Sequence, residues 1–169
     1  MFEFKIVDGK ALTSFLRSTA FKSMCECKNH CQMADPALEV MRKYYRQQFR
    51  YRTTGWLAML LAAESRQVVA CCDLLTDPWN TCTIESVCVH SDRRGTGLCK
   101  TLITSVCGNL KASSDVGRLR IYAYTNNPGA CACYRSVFGP PVHIRSGSES
   151  SHAFEMELRK PESQVHGKS

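Results

Sequence analysis

Eight consecutive residues, Arg93 to Lys100, carry three cations and two glycines. They lie between a strand-like segment, Ile84 to Val89, and a segment in which Leu98, Leu102, Ile103, Val106 and Leu110 recur at helical spacing. A strand feeding a short basic glycine loop that opens directly onto a helix is an anion-binding arrangement. Glycine lets the backbone approach a phosphate without Cβ interference, and the free N–H groups and positive dipole end of the helix meet its charge. Two nucleotide-binding signatures fail on position. A Walker A loop needs two glycines where Arg94 and Cys99 stand, although Lys100 and Thr101 are present. A dinucleotide fingerprint needs a third glycine where Lys100 stands. A tight strand-to-helix turn that binds nothing is the remaining reading of these residues.

The run Arg94-Gly95-Thr96-Gly97-Leu98-Cys99 resembles the Arg/Gln-x-x-Gly-x-Gly/Ala loop of the Gcn5-related N-acetyltransferase (GNAT) superfamily, with Cys99 in place of the small last residue. The preceding Ile84 to Val89 is similar to that family's fourth strand. A second block, Tyr124 to Tyr134, is similar to its fifth strand and following helix, with Asn127 seven positions before Tyr134. The likeness extends over roughly Trp56 to Leu158, and Val137-Phe138-Gly139 stands where the family has Leu-Gly-Phe. It implies an α+β (mixed α/β) fold: a central, mixed, mostly antiparallel sheet flanked by helices, with strands 4 and 5 splayed.

For function the resemblance implies an acetyl-CoA-dependent N-acetyltransferase acting on a primary amine of a protein, a peptide or a small molecule, by direct attack on the thioester. Val87, Cys88 and Val89 would offer main-chain hydrogen bonds to pantetheine. Amides from Arg94, Gly95, Thr96, Gly97, Leu98, Cys99 and Lys100 would cradle the pyrophosphate, and Asn127 would belong to the same site. Tyr134 is the expected general acid, because a phenol is still protonated at pH 7 and can hand a proton to the departing thiolate. Glu85 is the expected general base, directly or through water, its pKa raised by burial. No metal is expected. The contrary class is a non-catalytic module of the same fold that binds CoA, a protein or a nucleic acid.

The elements that must position these residues follow from periodicity and caps. The N-terminal third reads as helical: Asp8 can cap a segment whose Leu12, Phe15, Leu16 and Ala20 share a face, and Asp35-Pro36 opens a second helix carrying Leu38, Met41, Tyr45 and Phe49. Trp56 to Ala63 and Gln67 to Leu75 read as a hairpin of two central strands, and Thr81 to Val89 as a third strand. A helix to about Ala112, a strand from Arg118 to Tyr124, a short helix from Pro128 to Phe138 and a closing hairpin, Val142 to Arg145 with Ala153 to Leu158, complete the chain. With 169 residues, 44% of them hydrophobic, one domain over 1–158 and a flexible tail over 159–169 are expected. No apolar run approaches a membrane span, and charges interrupt the first residues, so an intracellular, cytoplasmic protein is expected, with the nucleus also open.

Eleven cysteines, several inside apolar runs, read as mostly reduced core residues. Cys25, Cys27, His30 and Cys31 put four possible zinc ligands into seven residues, whereas structural sites separate their ligands into two pairs; free thiols on a loop are expected instead. The net charge of +7 favours a polyanionic ligand or an acidic partner. Lys43 to Arg52 interleaves cations with aromatics, which suits a single-stranded nucleic acid, an acidic substrate or a helix packed beside a substrate groove.

Overall fold

A computed structural model describes residues 1–29, 38–51, 55–113, 115–145 and 150–158. The chain runs β1 (Phe2–Val7), α1 (Leu12–Phe15), α2 (Thr19–Asn29), α3 (Leu38–Tyr51), β2 (Gly55–Ala62), β3 (Val68–Thr76), β4 (Thr81–Val89), α4 (Leu98–Ser113), β5 (Arg118–Tyr124), α5 (Pro128–Phe138), β6 (His143–Arg145) and β7 (Ser151–Glu157). Seven strands form one sheet in the order β1-β2-β3-β4-β5-β7-β6, antiparallel throughout except for the parallel pair β4–β5. The mixed α/β sheet expected from the sequence is therefore present.

The N-terminal third departs from the helical expectation. Phe2, Phe4 and Ile6 alternate with Glu3 and Lys5, a strand period, and β1 pairs along its whole length with β2. This makes Thr81–Val89 the fourth strand rather than the third. Asp8 does accept the Ala11 N–H at 2.9 Å, but the helix it opens lasts four residues. Ser18 Oγ then accepts from Phe21 N–H at 3.2 Å and restarts the chain as α2. Cys25 and Cys27 lie on α2 and are buried, so they are core thiols and not loop thiols. His30, Cys31, Asp35, Pro36, the Phe49 side chain and the tail 159–169 lie outside the described residues and side chains.

Two cores sandwich the sheet. On one face α4 and α5 bury Leu102, Ile103, Val106 and Tyr134 against Leu74, Ile84, Ile121 and Phe154. On the other, α1, α2 and α3 bury Phe15, Phe21, Met24 and Tyr45 against Leu57, Met59 and Cys71. Arg42 and Arg46 of α3 pair with Glu39 on the same helix, and Tyr45 is buried. These three side chains of the basic helix are thus engaged in packing and local charge pairing.

Beneath α2 and α3 sits a buried polar triad. Lys28 Nζ donates to both Asp73 carboxylate oxygens at 2.8 and 2.7 Å, and the Tyr45 hydroxyl donates to Asp73 Oδ1 at 3.1 Å. Burial works against the Lys28 charge, but the Asp73 carboxylate outweighs it and holds the ammonium well above the ordinary lysine range.

Register explains how the sheet opens. β4 and β5 pair only at Thr81 to Ile84 with Arg118 to Ile121. Opposite Cys71 and Asp73 of β3, the partners on β4 are Cys88 and Glu85, so β4 carries one extra residue there. Ser86 adopts φ +51, a left-handed conformation that costs a non-glycine residue about 1–2 kcal/mol. Beyond this bulge β4 follows β3 while β5 follows β7, and a wedge opens between them.

Candidate functional site

The wedge is the mouth of a cleft of about 690 Å³. Val87 and Val89 form its strand wall. Arg93, Arg94, Gly95, Gly97, Leu98, Cys99 and Lys100 form one end, and Asn127, Gly129, Ala130, Cys133, Tyr134 and Ser136 of the α5 side form the opposite wall. His90 N–H bonds the Val69 carbonyl at 2.9 Å, toward β3. By strand alternation the main-chain groups of Val89 turn the other way, into the wedge, where Arg94 Nε donates to the Val89 carbonyl at 3.4 Å.

The loop has the backbone conformation and the cations that an anion site requires. Gly95 and Gly97 have φ of +76 and +83, and no heavy atom lies within 4 Å of where a Cβ would stand. Backbone conformation, not crowding, therefore selects glycine at both positions. Thr96 Oγ1 donates to the Arg93 carbonyl at 2.6 Å and closes the loop on itself. The Gly97 carbonyl accepts from Thr101 N–H at 3.0 Å, the first turn of the sixteen-residue α4. The first N–H groups of that helix have no carbonyl behind them and face the cleft end where Arg93, Arg94 and Lys100 collect positive charge.

At the other wall, Asn127 Oδ1 accepts from Ala130 N–H at 3.0 Å, and Pro128 follows it, so Asn127 caps α5 while lining the cleft. This orients Tyr134, two turns on, whose ring stacks edge-on against Phe154 at 5.9 Å. Burial, and then the neighbouring Cys99 and Cys133 thiols, push the Tyr134 phenol above the ordinary tyrosine range. The hydroxyl keeps its proton at any physiological pH, the state a proton donor needs.

Ten of the residues expected from the sequence, Val87, Val89, Arg94, Gly95, Gly97, Leu98, Cys99, Lys100, Asn127 and Tyr134, line this one cleft. Three do not. Thr96 faces away. Cys88 is 3% exposed and packs its side chain into the core under α2, on the other face of the sheet. Glu85 pairs in register with Asp73 on that same face. It is exposed, not buried. The burial expected to tune it is absent. The bulge at Ser86 is why strand alternation could not assign its face: Ile84 and Val87, three apart, pack on the same core. Among the additional lining residues, Ala130 stands four positions before Tyr134 and three before Cys133, so the i, i+3, i+4 spacing of a helix through Tyr134 is the signal that finds them.

The architecture matches solved structures over nearly the whole chain. The ribosomal-protein-S18-alanine N-acetyltransferase from Escherichia coli superposes with a TM-score of 0.70 at 14% identity, covering 98% of this chain and 99% of that one. The spermidine/spermine N-acetyltransferase SpeG from Vibrio cholerae, in complex with manganese ions, gives 0.66 at 9% identity, covering 93% and 92%. Such low identities establish the shared fold. No curated protein matches the sequence. The sequence pattern of the Acetyltransferase (GNAT) family matches residues 19–139, from α2 to the end of α5, and includes both the glycine loop and Tyr134. The chain belongs to the GNAT family of acetyltransferases.

Proposed function

We propose that the protein transfers an acetyl group from acetyl-CoA to a primary amine of a protein, peptide or small molecule, by direct attack of the amine on the thioester, in a reducing cytoplasmic compartment. The observation that carries this reading is the convergence on one cleft of an open strand edge, an anion-binding loop and a protonated phenol. These fit the donor in order: Val87 and Val89 toward an extended pantetheine, the α4 end toward the pyrophosphate, Tyr134 toward the departing sulfur. Acetyl-CoA supplies the activated acyl group. The chain holds that group in place, offers Tyr134 as the proton source for the leaving thiolate, and presents Glu85 on the opposite face of the sheet, beside the bulge, as acceptor of the amine proton.

Gly97→Glu tests the donor half. It places a side chain and a negative charge at the anion site and forces φ +83 on a residue with a Cβ, a strain of about 1–2 kcal/mol that the fold can absorb. Titration calorimetry should find acetyl-CoA bound by the unmodified protein and binding lost in the folded variant. Unchanged affinity in folded Gly97→Glu removes the loop from the donor site.

Glu85→Gln tests the acceptor half with a thiol-release assay on pooled peptides and amines. The defect should be largest at low pH, where the amine is protonated and needs a base, and should shrink as the pH nears the amine's own pKa, about 8 for a peptide N-terminus and about 10 for a lysine-type amine. A defect of constant size across pH makes Glu85 a binding residue.

A further inference from the structure

Cys99 lies in the first turn of α4 and Cys133 on the cleft side of α5, 34 residues apart in sequence, and their sulfurs are in contact at 2.9 Å. Among the described cysteines only Cys99, Cys107 and Cys133 are more than marginally exposed; the others are buried in the two cores. Cys107 stands two helical turns beyond Cys99, roughly 12 Å along the axis. The Cys99–Cys133 pair therefore combines two properties: both sulfurs border an open cleft, and they already touch.

The two thiols are not equivalent. The hydrogen bond with Cys99, followed by the Lys100 ammonium, holds Cys133 below the ordinary thiol range, whereas the same contact and burial hold Cys99 above it. Either thiol can open a thiol–disulfide exchange, and the Lys100 charge favours Cys133 as the attacking one.

We propose that Cys99 and Cys133 form a reversible disulfide that disables the donor cleft, making the pair an oxidation-sensitive modification site. The consequence for the cleft rests on the acetyl-CoA reading above. With a low-molecular-weight disulfide such as oxidised glutathione as oxidant, the Cys133 thiolate attacks one glutathione sulfur, the S–S bond breaks and one glutathione leaves as a thiolate that takes up a proton. Cys99, its proton passing to solvent, then attacks the Cys133 sulfur and expels the second glutathione. Two protein thiols become one disulfide and one glutathione disulfide becomes two thiols.

A disulfide is about 2.05 Å long, so bonding draws the two sulfurs together from their present contact and ties the first turn of α4 to α5. That turn carries the N–H groups facing the anion end, and α5 carries Tyr134. A misplacement on the ångström scale between donor-holding and reacting groups can cost up to about 10²-fold in rate.

The full-length protein is equilibrated in glutathione buffers of graded potential, alkylated, and mapped by mass spectrometry without reduction, with acetyl-CoA affinity and thiol release measured on the same samples. The expected result is one Cys99–Cys133 disulfide, a loss of acetyl-CoA affinity of about tenfold or more, and recovery of both on reduction by dithiothreitol. By reciprocity, saturating acetyl-CoA should then make the pair harder to oxidise, a tenfold affinity difference corresponding to about 30 mV. Cys133→Ser should show no difference between oxidised and reduced samples, whatever its own affinity. Separate glutathione adducts, or free Cys99 and Cys133 beside a modified Cys107, overturn the pair. A Cys99–Cys133 disulfide with unchanged affinity overturns its effect on the cleft. A reduced protein that fails to bind acetyl-CoA overturns the donor reading itself, and the effect on the cleft with it, an outcome separate from either of these.

Discussion

Asp73→Ala is expected to lower the unfolding free energy by about 3–5 kcal/mol, because it leaves the Lys28 ammonium buried without its counter-charge. Lys28 is 1% exposed, so water cannot replace the lost carboxylate, and the Tyr45 hydroxyl loses its acceptor in the same step. A loss of that size is a large part of the 5–15 kcal/mol by which a domain is ordinarily stable. Urea unfolding followed by circular dichroism measures it. The double variant Lys28→Met, Asp73→Leu should recover most of the loss, since it removes both charges and fills the space with apolar side chains. Because the folded pKa of Lys28 is raised, the stabilisation is complete below the ordinary lysine pKa of about 10.4 and fades only as pH climbs through the higher folded value. The Asp73→Ala penalty should therefore be constant from neutral pH to about pH 10. A penalty below about 1 kcal/mol, or a double variant as unstable as the single one, contradicts this account of the triad.

This triad also marks the limit of what the sequence discloses. Lys28 and Asp73 are 45 residues apart, and only the packing of α2 on β3 brings them together. The Cys99–Cys133 contact is hidden in the same way. What could be read directly had a local cause. Asn127 and Pro128 are a cap and a first-turn proline, and Gly139, at φ +86, ends the helix, so α5 spans the residues that these signals mark. Gly95 and Gly97, both at positive φ, likewise mark the turn from β4 into α4.

Where local signals competed, the wrong one prevailed. The alternation of Phe2, Phe4 and Ile6 is a strand signal, but it spans only six residues, and the helical reading of the N-terminal third rests on the capped segment that begins after it at Asp8. Its partners on β2 lie fifty to sixty positions on, and it is that pairing which decides the matter. On β4 the alternation itself is broken by Ser86, so no period-two reading could place Glu85, Val87 and Cys88 together. The bulge that defeats the pattern is the feature that opens the wedge. The departure from regularity on β4 coincides with the place where the sheet opens into a cleft.

Tyr134→Phe is expected to reduce the rate of acetyl transfer by about 10² to 10⁴-fold, the usual worth of a positioned general acid, if protonation of the thiolate limits turnover. The substitution keeps the ring against Phe154 and removes only the hydroxyl, so the melting temperature and acetyl-CoA affinity should stay close to those of the unmodified protein. This separates it from Gly97→Glu, where binding is lost first. The pH dependence supplies a second check. The phenol is held above its ordinary value by burial, so it remains protonated past pH 10, and an alkaline fall in rate below that pH must come from another group. Removing the hydroxyl should then lower the pH–rate profile by the same factor between pH 6 and pH 9 without moving its limbs. Added low-pKa thioesters, whose thiolates leave without help, should narrow the gap between the two proteins. A Tyr134→Phe enzyme with unchanged turnover, or one whose defect is the same for good and poor leaving groups, shows that Tyr134 shapes the cleft rather than donating the proton.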